Sequence, residues 1–125
     1  MKLLLDTHVV LWWTHDSRRL SQTARELVGD PRHDVLLSAV VAWEIAIKRA
    51  LGTLKVRPGL VAELLADGGA AELAVSVAHA TEVERLPMHH RDPFDRMLVA
   101  QARVEGAVLV SSDEALRKYD VPVSW

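Results

Sequence analysis

The sequence predicts an α/β fold with three layers, in which a central, mainly parallel sheet of four to five strands is flanked by helices. Three observations predict this fold. Short apolar runs alternate with longer segments of helical periodicity, the short runs are apolar on both faces, and residues typical of helix ends separate the two kinds of segment. Strands that are apolar on both faces occur in parallel sheets whose two sides are covered by helices.

The predicted strands and helices follow one another along the whole chain. The strand candidates are residues 2–5, 35–38, 73–77, 107–111 and 121–124. The helix candidates are residues 7–15, 21–29, 39–51, 60–66, 78–86, 93–105 and 113–119. Their boundaries carry ordinary capping signals: Ser38 precedes the third helix, Asp92 and Pro93 begin the sixth, and Gly106 follows it.

Length and composition limit the classes of protein. The 125 residues are half hydrophobic, so we expect a single domain over residues 1–125 with a substantial core. The absence of cysteine excludes a disulfide scaffold and a zinc site built on thiolates. The apolar runs are too short to cross a bilayer and no segment has the layout of a signal peptide, so we expect a cytoplasmic location and no membrane span. The net charge of −2 disfavours a protein that binds nucleic acid by charge alone.

Four carboxylates fall near one edge of the predicted sheet. Asp6 directly follows the first strand and Asp113 follows the fourth, while Glu44 lies about two turns into the helix after the second strand. Asp95 lies in the first turn of the helix that leads into the fourth strand. Ligands of an open parallel sheet bind outside the carboxyl ends of its strands, which is where these acids are expected.

Each acid also has an ordinary structural explanation. Asp6 is a candidate N-cap, Glu44 is placed to pair with Lys48, and Asp95 and Asp113 suit the first turns of helices. Together, however, inward-facing acids at one edge would repel one another unless a cation lay between them. Oxygen ligands without a thiolate favour Mg²⁺ or Mn²⁺, and such a cluster is typical of metal-assisted hydrolysis of phosphate esters.

Four stretches of the sequence carry a family resemblance. They are LLLDTHVVLWW at residues 3–13, SAVVAWEIAIKRALGTL at residues 38–54, HRDPFDRMLVAQA at residues 90–102 and VLVSSDEAL at residues 108–116. In their order and spacing they resemble the PIN-domain ribonucleases, and within them the VapC-type toxins of bacterial toxin–antitoxin pairs. The resemblance extends over nearly the whole chain and implies a PIN-like fold.

The resemblance also implies a function and a set of site residues. It implies an endoribonuclease dependent on Mg²⁺ or Mn²⁺, in which an activated water attacks an RNA phosphodiester and leaves a 5′-phosphate and a 3′-hydroxyl. The acids that would hold metal and carry catalysis are Asp6, Glu44, Asp95 and Asp113, with Thr7 and Ser111 orienting ligands or waters. The implied partners are RNA, a second copy of the chain in a homodimer, and a VapB-like antitoxin. The alternative is a catalytically silent PIN-like module that acts through partner or RNA binding.

Several neighbouring residues leave two interpretations open. Arg96 could contact a phosphate or be an exposed helical arginine. His8 stands where many PIN domains have Asn or Ser, and could bind metal or hydrogen-bond the backbone. His89 and His90 form a loop pair that could meet RNA, although a solvated pair is the commoner case. Trp43, beside Glu44, is expected to pack over that carboxylate.

Overall fold

The fold is organised around one five-stranded parallel sheet with strand order β3-β2-β1-β4-β5. The computed structural model describes residues 1–125. Its elements, in chain order, are β1 (Lys2–Leu5), α1 (Thr7–Thr14), α2 (Gln22–Gly29), β2 (Asp34–Ser38), α3 (Ala39–Ala50), α4 (Leu60–Ala66), β3 (Ala71–Leu73), α5 (Val77–Glu84), α6 (Pro93–Glu105), β4 (Val108–Val110), a 3₁₀ helix (Glu114–Lys118) and β5 (Val123–Ser124). The predicted α/β class and its parallel sheet are confirmed.

The central strand β1 pairs with a different strand on each side. Leu3 lies opposite Val35 of β2 and opposite Val108 of β4. The chain therefore leaves β1 toward one half of the sheet and later returns to the other half. This is the topological switch point of an open parallel sheet, where the loops at the carboxyl ends diverge and leave a crevice.

The core lies on both faces of the sheet. Leu3, Leu4 and Leu5 are successive residues of β1 and point alternately to opposite faces, yet all three are fully buried. Leu98 and Val99 of α6 belong to the same buried cluster. Burying a leucine side chain stabilises a fold by roughly 2 kcal/mol. The burial of these three leucines therefore stabilises β1, the strand at whose carboxyl end the crevice lies. None of the helices has the length and apolar character that a bilayer crossing requires.

Two predicted elements differ from the structure. The third strand is Ala71–Leu73 instead of residues 73–77, because its pairing with β2 ends where Leu73 lies opposite Ser38, the last residue of β2. The helix α5 then begins at Val77, one residue earlier than expected. Its cap is reciprocal: the Ser76 hydroxyl accepts from the His79 amide at 3.2 Å, and His79 Nδ1 accepts from the Ser76 amide at 3.0 Å. The last predicted helix is a short 3₁₀ helix, in which Leu116 N–H donates to the carbonyl of Asp113 at 3.2 Å.

Candidate active site

Asp6 occupies the end of β1, at the floor of the crevice. Its side chain is the N-cap of α1 and accepts from the Val9 amide at 2.9 Å through Oδ1. Its other oxygen, Oδ2, accepts from the hydroxyl of Ser111, which follows β4. Asp6 is only 4% exposed, and this burial raises the pKa of its carboxyl, against the lowering effect of the Ser111 bond. The capping role and the inward position therefore coexist in one carboxylate.

Glu44 approaches the same place from α3. It is 4% exposed, and its Oε1 accepts from the hydroxyl of Thr7 at 2.5 Å. Its Oε2 accepts from Lys48 Nζ at 2.5 Å, one turn further along the helix. The ion pair between Lys48 and Glu44 is thus present, but the Glu44 carboxylate is buried and does not lie on a solvated face of the helix. The hydrogen bond to Glu44 raises the pKa of Lys48.

Asp95 lies in the first turn of α6 among other acids. Asp92 caps this helix, accepting from the Phe94 amide at 2.8 Å. Partial burial, followed by the negative charge of Asp92, raises the pKa of Asp95 to about 7, and Asp6 and Glu44 contribute to the same rise. Neighbouring like charges disfavour the ionised form of a carboxyl, which is the direction in which these acids shift the pKa of Asp95.

Asp113 reaches the cluster from the turn after β4, where a histidine bridges it to Asp95. Asp113 Oδ1 caps the 3₁₀ helix by accepting from the Ala115 amide at 2.9 Å. Its Oδ2 lies 2.9 Å from Nε2 of His90, and the same Nε2 lies 3.2 Å from Oδ2 of Asp95. The potential ligand atoms of His90, Asp95 and Asp113 all lie within 4.8 Å of one another.

His90 is the residue of this cluster that the sequence did not indicate. A histidine in a loop is usually solvated, and here the side chain is only 20% exposed. A weak signal was present, since His90 stands two residues before the cap of α6. The amide of Asp92 donates to its Nδ1 at 3.0 Å. Its contact with Asp113, 23 residues away, depends on the tertiary fold.

The structure also places three further residues that the sequence singled out. The guanidinium of Arg96 donates to the carbonyls of Pro87 at 2.9 Å and Val83 at 3.2 Å, so in this structure it is engaged within the fold. His8 is exposed, and its ring lies 5.6 Å from that of Trp12. Trp43 is 61% exposed, so the expectation that it packs over Glu44 is wrong.

An apolar groove of about 630 Å³ is lined by residues of α3, α5 and α6. Trp43 of α3 and Phe94 of α6 form one of its walls, with ring centroids 5.2 Å apart in an edge-to-face contact. These two residues directly precede Glu44 and Asp95 in sequence, so the groove and the acid cluster share two helices. Met88, which also lines the groove, is 72% exposed.

The acid cluster fits a divalent cation. Four carboxylates converge from four segments of the chain, and Lys48 is the cation that pairs with one of them. Burial is the largest cause of the raised pKa of Asp95, and the negative charges of Asp92, Asp6 and Glu44 add to it. Carboxylate oxygens at a partly open crevice are ligands that suit a divalent cation.

A parallel α/β fold with an acid cluster at its switch point is an arrangement typical of metal-dependent hydrolases. The PIN domain model matches residues 3–122, and the chain belongs to the PIN domain family. Ribonuclease VapC22 of Mycobacterium tuberculosis (strain ATCC 25618 / H37Rv) is 32% identical over 128 residues, covering 96% of this chain and 93% of the relative. The predicted family is confirmed.

Two solved structures share the fold. One is VapBC2 from Rickettsia felis bound to a DNA fragment from their promoter, with a TM-score of 0.71 and 13% identity over 99% of this chain and 98% of that one. The other is DNA-bound VapBC from Salmonella typhimurium, with a TM-score of 0.70 and 14% identity over 99% and 97% of the two chains. At these identities the likeness concerns the fold.

Proposed function

We propose that this chain is an endoribonuclease dependent on Mg²⁺ or Mn²⁺ and the toxin of a toxin–antitoxin pair. The observation that carries the proposal is the convergence of Asp6, Glu44, Asp95 and Asp113 at the switch point of a PIN-domain chain. A relative that is 32% identical over nearly its whole length is a ribonuclease. A silent binding module is disfavoured, because it would have no use for repelling buried acids, which cost stability.

The proposed mechanism assigns the four acids to metal binding. A bound divalent ion supplies Lewis-acid activation of water and neutralises charge that develops on the phosphate. Thr7 and Ser111 hold the Glu44 and Asp6 carboxylates in fixed orientations through their hydroxyl groups. In this proposal the four acids contribute by holding the ion and orienting its ligands.

The partners proposed are RNA, a VapB-like antitoxin and a second copy of the chain. Both solved structures named above are VapBC complexes, which supports an antitoxin as partner. The apolar groove supports the second copy. The exposed indole of Trp43 lies at the edge of this groove. The same surface therefore has both a projecting side chain and a concave region that could receive one. A two-fold interface requires this self-complementarity, and large exposed apolar patches usually mark such contacts.

The experiment that tests the nuclease is cleavage of a mixed pool of structured RNA by purified protein with Mg²⁺, with Mn²⁺ or with EDTA. We expect the wild type and Asp120→Asn to cut with either metal, because Asp120 is an exposed acid outside the cluster. Asp95→Asn should reduce cleavage by at least about 100-fold. Equal cutting by all three proteins, or cutting in EDTA, would contradict the proposal.

The oligomeric state is tested by size-exclusion chromatography with light scattering, which measures the molar mass of the protein in solution. Trp43→Glu places a charge in the apolar groove and should convert dimer to monomer. Leu51→Glu is the matched control, since Leu51 is 71% exposed at the other end of the same helix. A wild type that is monomeric at high concentration, or a Trp43→Glu variant that remains dimeric, would contradict this interface.

A further inference from the structure

The hydrogen bonds of His90 fix the position of its ring proton. Its Nδ1 lies 3.0 Å from the backbone nitrogen of Asp92. A backbone amide can only donate, so Nδ1 must present its lone pair and carries no proton. The proton of the neutral ring is therefore on Nε2, which makes this nitrogen a donor.

The Nε2–H group points between two acids of the cluster. It lies 2.9 Å from Oδ2 of Asp113 and 3.2 Å from Oδ2 of Asp95. These acids come from different segments, the turn after β4 and the first turn of α6. A single donor shared by both carboxylates holds the two segments at a set separation.

Contacts of the His90 backbone and of the surrounding residues keep the imidazole in this position. The backbone N–H of His90 donates to the Tyr119 hydroxyl at 2.9 Å, and Tyr119 is only 4% exposed. Arg96 donates to the same hydroxyl at 3.3 Å and to the carbonyl of Pro87 at 2.9 Å. The ring is thus fixed through its own amide, its Nδ1 atom and its Nε2 atom.

We propose that His90 is a positioning residue that orients the carboxylates of Asp95 and Asp113 for metal binding and is not itself a metal ligand. The role in metal binding rests on the proposed function, whereas the tautomer of His90 follows from geometry alone. To ligate through Nε2 the ring would have to move its proton to Nδ1, where it would oppose the N–H of Asp92. Groups that hydrogen-bond to metal ligands in this way contribute about 10-fold to 100-fold to metal affinity.

The tautomer is tested by long-range proton–nitrogen correlation spectra of ¹⁵N-labelled wild-type protein, recorded without metal and with saturating Mg²⁺. His90→Gln identifies the resonances by their loss. We expect Nδ1 to give the signal of an unprotonated nitrogen and Nε2 that of a protonated one in both samples. A protonated Nδ1 in either sample would overturn the proposal, and the result in the sample without metal holds whether or not the chain is a nuclease.

The positioning role is tested by Mg²⁺ titration calorimetry on four proteins. His90→Ala should lower the affinity about 10-fold, whereas His90→Gln, whose side-chain amide retains a donor, should stay within about 3-fold of the wild type. His89→Ala is the control at the exposed neighbouring position and should not differ from the wild type. Unchanged affinity in His90→Ala, or equal losses in Ala and Gln, would overturn the proposal. A wild type that binds no Mg²⁺ would instead contradict the proposed function.

Discussion

The hydroxyl of Thr7 donates to Oε1 of Glu44 at 2.5 Å, which ties the first turn of α1 to the middle of α3. Both residues are buried, so neither group has ready access to water as a substitute partner. Thr7→Val keeps the shape of the side chain but removes the donor. We expect it to lower the free energy of unfolding by about 1–3 kcal/mol, because a hydrogen bond to a buried charge is lost. Urea denaturation of the metal-free protein measures this change.

Thr7→Ser is the matched control for this prediction. Serine retains the hydroxyl and loses only a methyl group, so Thr7→Ser should keep most of the stability and Mg²⁺ affinity of the wild type. If Thr7→Val and Thr7→Ser were equally stable, the hydrogen bond to Glu44 would not be a stabilising contact.

Stability of the metal-free protein should fall as the pH rises toward 7, because of Asp95. The carboxyl of Asp95 has a pKa of about 7 in the folded protein, against 3.8 for the unfolded chain. Between these values the folded state binds the additional proton, so stability decreases with pH until the folded carboxyl also ionises. We expect this group to lower the free energy of unfolding by about 2 kcal/mol between about pH 5 and about pH 8, with partial solvent screening included.

Asp95→Asn isolates this contribution, since all other titrating groups are common to both proteins. In EDTA the variant should lose less stability than the wild type over the same interval, and above pH 7 it should be the more stable of the two. Mg²⁺ should stabilise the wild type and have little effect on Asp95→Asn. Parallel stability curves for the two proteins would show that folding does not raise the pKa of Asp95.

The sequence predicted the sheet and the positions of the acids because their signals are local. The strand of Leu3 to Leu5 is apolar on both faces, and Asp92-Pro93 is a helix start that depends only on adjacent residues. Residues whose role depends on distant partners were not predicted in the same way. For His90 the sequence left open a solvated loop residue or a contact with RNA, and only the fold brings Asp113 to it.

The error in the third strand has a similar cause. Residues 73–77 have the composition of a strand, but Ser76 and His79 cap each other and start α5 at Val77. A capping box with histidine in place of Glu or Gln is an uncommon signal, so the sequence pattern alone favoured the strand.

Ser111 should determine how readily Asp6 ionises. Its hydroxyl donates to Asp6 Oδ2 and accepts from the amide of Asp113 at 3.1 Å. The bond lowers the pKa of Asp6, which burial raises. Ser111→Ala should therefore raise that pKa further and weaken Mg²⁺ binding about 10-fold at neutral pH. Ser112→Ala, at the exposed adjacent position, should bind Mg²⁺ as the wild type does, and equal affinities for the two variants would refute this role.

Arg96 should prove to stabilise the fold instead of binding substrate. Its guanidinium donates to carbonyls at the end of α5 and to the Tyr119 hydroxyl, so Arg96→Ala would leave several acceptors without a donor. We expect a loss of about 2–3 kcal/mol in the free energy of unfolding, measured in urea. Arg91→Ala removes an exposed arginine of the loop that precedes α6 and should change stability by less than about 0.5 kcal/mol. If Arg96→Ala unfolded like the wild type but raised KM for RNA, the guanidinium would be a phosphate contact after all, released from the carbonyls when RNA binds.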